Sequence, residues 1–276
     1  VKAYLSINEK ISIKNLILKI DNFEEKHKIK LLLIPTTSGT GSEVTSFATV
    51  WDIKTKKKLS LNSKKLFADY AIVDPNSTIN INYENRLFTG LDAINQLFDS
   101  YWNKNSNYKS KVLATKGIQL GIDSMLKLKK HKFDSSSRLK ISKASLLSGF
   151  CISKTRTSIC HSISYPLTSY YKVPHGLACF FTTLAVFDFI KINNIKVFDI
   201  LIKNSKYDNL KKIRSDLIKI YRKHHVIKNV KKYVRNFENI NKLTKFMFTK
   251  GRSDNFCLPL TENTVKKILF QSYNQS

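Results

Sequence analysis

What this 276-residue chain lacks narrows its reading first. Its four cysteines, Cys151, Cys160, Cys179 and Cys257, form no C-x-x-C pair, which argues against a zinc knuckle and a secreted disulfide framework and points to a reducing cytoplasm. No basic-then-apolar leader opens Val1-Lys2-Ala3-Tyr4. The longest apolar stretch, Leu177 to Ile190, is too short to span a bilayer and is broken by Thr182, Thr183 and Asp188, so no membrane partner is expected. Internal repeats and low-complexity linkers are missing too. Acidic side chains are scarce, 20 against 48 Lys and Arg, for a net charge of +28. Such an excess can serve phosphate contacts. Runs such as Lys56-Lys57-Lys58 and Lys127-Leu128-Lys129-Lys130, however, lack the interleaved aromatics of a stacking platform. With lysine spread through almost every segment, the charge reads as solvated faces, with no specific nucleic acid and a general attraction for anionic ligands.

What is present is enough apolar material, 42% of residues, to bury a substantial core in one large domain or two smaller ones. The first third reads as α/β. Leu31-Leu32-Leu33-Ile34, ended by Pro35, suits a strand buried on both faces. Val44 to Trp51 reads as extended, Asp52 to Lys58 as a polar turn, and Ala71-Ile72-Val73 as a short strand ended at Asp74-Pro75. From about Asn82 the pattern turns helical. Leu210, Ile213, Leu217, Ile220 and Tyr221 lay one apolar stripe, and Leu139, Leu146 and Phe150 another. A last helix begins near Thr261 and turns Val265, Ile268 and Leu269 inward. The two parts meet near residues 76 to 86, dividing the chain into 1–81 and 82–276.

Chemistry is concentrated in a few positions. Asp92 and Gln96, four residues apart, project from one face if Leu91 to Tyr101 is helical. His161 and His175 flank a turn containing Pro166, and as neutral imidazoles they can converge on the same ion. Four lone-pair donors from three segments match an open divalent-metal site, although either histidine taken singly reads better as a core residue. Thr36-Thr37-Ser38-Gly39-Thr40-Gly41-Ser42-Glu43 follows a strand, where open α/β sheets place ligands. A flexible turn is the plainer alternative there.

Three strings, IPTTSGTGSEVTSFATVWD (Ile34 to Asp52), TGLDAINQLFDSYWN (Thr89 to Asn103) and CHSISYPLTSYYKVPHGLA (Cys160 to Ala178), resemble the iron-containing, or group III, alcohol dehydrogenase family. The pattern from Lys154 to Thr168 is most similar to its phosphonoacetaldehyde reductase branch, and Gly251-Arg252-Ser253-Asp254-Asn255 resembles the family's penultimate turn. The resemblance implies a partial Rossmann-like dinucleotide-binding α/β domain over residues 1–81. An all-helical metal-binding domain follows over 82–276, in an architecture like that of dehydroquinate synthase. The family's Asp and three His ligands map onto Asp92, Gln96, His161 and His175, with Gln96 a departure: a fourth ligand or a hydrogen-bonding neighbour. Tyr165 stands where many members carry a further histidine, and a phenol there would relay protons differently. The family's G-G-G-S pyrophosphate turn would fall immediately upstream of Val1, so the resemblance implies an N-terminally truncated fragment.

The implied activity is that of an NADH- or NADPH-linked oxidoreductase with Fe²⁺ or Zn²⁺, reducing an aldehyde, phosphonoacetaldehyde first, to its alcohol. Tyr165 or solvent is then the proton donor, and Thr36, Thr37, Thr40, Thr45 and Lys58 are the cofactor contacts. Lys154 and Arg156 are candidates for a phosphonate head, or ordinary surface cations. The resemblance leaves a homo-oligomer open. Two alternatives stand beside it: a general alcohol dehydrogenase acting on simple aldehydes, and a non-catalytic degenerate fragment or basic binding protein.

Overall fold

The computed structural model describes residues 30–52, 57–130 and 133–275. The α/β part is small. Strand β1 (Leu32–Leu33) pairs in parallel with β4 (Tyr70–Ala71), Leu32 opposite Tyr70. Strands β2 (Phe47–Asp52) and β3 (Lys57–Asn62) form an antiparallel pair with Phe47 opposite Asn62. Two expectations are corrected here. Leu32 and Ile34 are 50% and 49% exposed, so this strand is not buried on both faces; among the described residues its strand neighbour is the two-residue β4. Extended structure starts at Phe47 and not at Val44, because Gly41 takes a left-handed conformation (φ 59°) and Ser42–Val44 close a 3-10 turn. Of the expected turn from Asp52 to Lys58, residues 53–56 lie outside the described residues, and Asp52, Lys57 and Lys58 pair as strand.

The helical part carries the core. Asn82 caps α1 (Tyr83–Tyr101) by accepting a hydrogen bond from Asn85 N, and α1 is buried from Gly90 to its end. Around it pack α2 (Tyr108–Lys127), opened by an Asn107/Ser110 capping box, and α3 (Ser135–Thr155), capped by Asp134. Then follow α4 (Ile159–Tyr171), α5 (His175–Phe180), α6 (Thr183–Asn193) and α7 (Asp199–Lys203). The chain closes with α8 (Leu210–Lys223), α9 (Val226–Tyr233), α10 (Phe237–Asn241) and α11 (Glu262–Tyr273). The buried residues of α8 are the five of the expected stripe, and α11 begins after Thr261 with Val265, Ile268 and Leu269 inward.

On α3 the expected stripe is wrong. Leu139 and Phe150 are exposed, while Ile141, Ala144, Ser145, Ser148 and Cys151 are buried, since small side chains let α1 and α2 approach closely. Pro166 lies inside α4 and not in a turn; its fixed φ is compatible with helix, at the cost of one backbone hydrogen bond. His175–Asn193 is by length and composition apolar enough to cross a membrane, a longer stretch than Leu177 to Ile190. It is nevertheless 72% buried inside the fold and broken between α5 and α6, which is the behaviour of a core segment.

Candidate metal centre

Helix periodicity brings the site together. Asp92, Gln96 and Asp99 fall at three- and four-residue steps along one face of α1. That face meets the start of α4, which carries His161, and α5, which carries His175. The crossing of α1 and α5 is close: a Cβ on Gly176 would sit 1.9 Å from the Phe88 carbonyl oxygen and 2.9 Å from Asp92 Cβ. Only glycine allows His175 to be held so near Asp92.

Asp99 is the buried organiser of this corner. One carboxylate oxygen accepts hydrogen bonds from Ser158 N (2.9 Å), His161 N (3.2 Å) and His161 Nδ1 (2.9 Å). The other accepts from Trp102 Nε1 at 3.0 Å. It thereby satisfies backbone donors at the first turn of α4 and places a negative charge at that helix's positive end. Because an ionised carboxylate can only accept, Nδ1 of His161 carries a proton, and Nε2 faces Asp92 Oδ1 at 3.4 Å.

Donor atoms of Asp92, His161, His175 and Cys179 all lie within 4.8 Å of one another. This is a set of carboxylate, imidazole and thiol donors that suits a divalent transition-metal ion. Burial opposes charge on His161, but Cys179, Asp92 and Asp99 outweigh it and raise its pKa well above the usual range. Burial likewise pushes the Cys179 thiol up, with His161 offsetting part of the effect. The rings of His161 and His175 meet edge to face, 5.5 Å between centroids. Gln96 Nε2 donates to Asp92 Oδ2 (3.0 Å), and its Oε1 accepts from Ser148 Oγ (3.0 Å).

Asp92, Gln96, His161 and His175 line a cleft of about 590 Å³ between the β2–β3 pair and the helices, and Cys179 lies buried behind them. Tyr165 lines it, its ring stacked at 6.2 Å on His175 and its hydroxyl accepting from Arg252 Nε at 3.1 Å. Thr40 and Thr45 line it as well. Thr36 is exposed and Thr37 faces a neighbouring hollow beside Glu43 and Ser142, so neither joins them. The side chain of Lys58 lies outside the described residues.

Lys154 and Arg156 part company. Arg156 lines the cleft, whereas Lys154 opens on a separate groove with Val44, Phe67 and Phe150, because α3 ends at Thr155. Arg156 has φ 62° and ψ −176°, a conformation that is almost exclusive to glycine. Asn103 Nδ2 holds it there by donating to the Thr155 and Arg156 carbonyls, at 3.1 and 3.4 Å.

Three residues of this neighbourhood were not expected from sequence: Asp99, Cys179 and Arg252. Two had a signal. Asp99 is seven residues beyond Asp92 on the same helix face, and Cys179 is four beyond His175.

Comparisons with known proteins bear on the family and the fold. The model described as the Fe-containing alcohol dehydrogenase family, C-terminal, matches residues 86–273, and that described as iron-containing alcohol dehydrogenase matches residues 2–75. Phosphonoacetaldehyde reductase of Streptomyces viridochromogenes is 35% identical over 152 residues, 55% of this chain and 38% of that one. Long-chain-alcohol dehydrogenase 1 of Geobacillus thermodenitrificans is 34% identical over 152 residues, with the same two coverages of 55% and 38%. The match thus spans well under half the length of these curated relatives. Among solved structures, sulfoacetaldehyde reductase from Bifidobacterium kashiwanohense in complex with NAD+ superposes with a TM-score of 0.82 at 21% identity, covering 100% of this chain and 73% of that one. An iron-containing alcohol dehydrogenase from Thermotoga maritima gives 0.79 at 24% identity, covering 99% and 72%. These likenesses establish the fold: part of a Rossmann-like α/β domain followed by a helical one. With one family model covering most of the helical part, the chain belongs to the iron-containing alcohol dehydrogenase family.

Proposed function

We propose that this chain is the catalytic portion of a metal-dependent, NAD(P)H-linked aldehyde reductase whose substrate carries a small anionic head, with phosphonoacetaldehyde reduced to 2-hydroxyethylphosphonate. The reading is carried by the convergence of Asp92, His161, His175 and Cys179, the first three lining a cleft that two arginines also line. We place the domain boundary at 81/82, just before α1. When bound, a divalent cation supplies a Lewis acid for the aldehyde oxygen, and reduced nicotinamide supplies hydride to its carbon.

The chain's own residues do the rest. Asp92, His161 and His175 hold the cation, and Gln96 steadies Asp92 by donating to it. Asp99 keeps the imidazole of His161 in the tautomer that leaves Nε2 available. Arg252 donates to the Tyr165 oxygen, so the phenolic hydrogen remains available to the nascent alkoxide, and the guanidinium stabilises the phenol's oxygen as the proton leaves. Thr40 and Thr45 are cofactor contacts, with Thr36 and Thr37 further along the same loop and Lys58 on β3. The Arg156 and Arg252 guanidiniums suit a phosphonate, which takes paired N–H donors. Lys154 stays outside this role because it opens on another groove.

The test compares Arg156→Ala with the parent protein at full length. The Michaelis constant for phosphonoacetaldehyde should rise at least about tenfold, the loss of one charged hydrogen bond, while that for propanal stays within about twofold. Equal changes for both aldehydes would remove Arg156 from the substrate site. A second reading, a general alcohol dehydrogenase, draws on the 34% identity to the long-chain-alcohol dehydrogenase and on Phe47 and Ile152 in the cleft lining. It requires propanal to be reduced as efficiently as the phosphonate aldehyde.

A further inference from the structure

The position that the family fills with a third histidine is taken here by an amide that is already engaged. Gln96 must turn its Nε2 toward Asp92, because the reverse orientation would set Oε1 against a carboxylate, and its Oε1 meets the Ser148 hydroxyl. The fourth donor comes from elsewhere. Cys179 lies one helical turn beyond His175 on α5, so the two side chains share a face, the same spacing that lets two histidines of one helix bind a single zinc ion. Cys179 Sγ is 3.7 Å from either ring nitrogen of His175, and His161 Nε2 is 3.4 Å from Asp92 Oδ1. Donors held at roughly 2.0–2.3 Å around a tetrahedral ion lie about 3.3–3.6 Å apart. These two pairs are therefore already spaced close to the separation around a shared ion, and all four donors lie within 4.8 Å of one another.

We propose that Cys179 is the fourth metal ligand of this chain, that Gln96 is a positioning residue for Asp92, and that the resulting Asp–His–His–Cys set selects zinc over iron. A thiolate is a softer donor than the imidazole it replaces and favours Zn²⁺ over Fe²⁺. On binding, the S–H bond breaks, its proton passes to solvent, and sulfur donates the electron pair to the cation. One carboxylate and one thiolate then neutralise the dication, which leaves attraction for an anionic substrate to Arg156 and Arg252. The inference rests on the metal-dependent reading of the same cleft.

Cobalt(II) titration of the metal-stripped full-length protein separates the two. Uptake of one equivalent with a near-ultraviolet thiolate-to-cobalt charge-transfer band is expected. Cys179→Ser, nearly the same size, should lose the band and bind cobalt at least about tenfold more weakly, while Gln96→Ala keeps the band. One equivalent bound without the band would remove Cys179 from the ligand set and leave the metal reading intact. No uptake at all would end both. Zinc-edge X-ray absorption of the unmutated protein needs no variant: one sulfur at about 2.3 Å supports the proposal, and a shell of nitrogen and oxygen alone overturns it.

Discussion

Arg156, Asp99 and Cys179 show how much of a site is decided below the level at which a sequence pattern operates. Arg156 and Lys154 are two residues apart and chemically alike, yet the end of α3 at Thr155 sends them to different surfaces. Nothing in composition marks that end. Cys179 sits in an apolar run and reads as core, and it gains a metal-ligand reading only once α5 stands against His161. Asp92, His161 and His175 were legible because their residue types are restrictive, whereas Gln96 was legible as a departure and not as a donor to Asp92. His224 is a purely structural case. Its Nδ1 meets the Tyr83 hydroxyl and its Nε2 the Met125 carbonyl, both at 2.9 Å, and burial lowers its pKa from 6.5 to about 4. The folded protein thus binds this proton less well than the unfolded chain. Its contribution is complete above pH 6.5 and falls away as pH drops toward 4. At about 1.4 kcal/mol per pH unit the total is on the order of 3 kcal/mol. His224→Gln should flatten the pH dependence of the urea-unfolding free energy across that window; an unchanged slope would show that His224 does not titrate there.

At the scale of elements, large amphipathic helices announced themselves and small-residue contacts did not. The stripe of α8 could be read because its inward residues are bulky and its outward ones charged. The face of α3 could not, because what it buries is Ala144, Ser145 and Ser148, and hydropathy does not distinguish these from solvent-facing residues. Close backbone approach is equally silent in sequence. A Cβ at Gly149 would fall 2.6 Å from the Gly41 carbonyl oxygen, so the threonine loop is seated directly on α3. The tightest approach is at Gly176. Gly176→Ala would force α1 and α5 apart, destabilise the protein by about 1–3 kcal/mol and draw His175 away from Asp92. Thermal unfolding should show the loss, and zinc affinity should fall at least about tenfold. A variant with unchanged midpoint and unchanged zinc binding would mean that this crossing does not set the site.

For the whole molecule, the long motifs were specific enough to place the chain in its family and to separate an α/β part from a helical part. The extent of the α/β surface was not legible, because Leu32 and Ile34 look like a buried strand and are half exposed in the described structure. The charge of +28 gave no indication of the cleft, since basic residues are spread over the chain while, among the described residues, the two Lys or Arg side chains that line the cleft are Arg156 and Arg252, both outside helices. The account as a whole depends on three distant parts of the chain holding one cation. Calorimetric zinc titration of the metal-stripped protein, with Asp92→Asn, His161→Ala and His175→Ala beside it, measures this directly. One equivalent bound per chain, with affinity reduced at least about a hundredfold in each variant, is the expected result. Absence of stoichiometric binding, or affinities that the three substitutions leave unchanged, would contradict it.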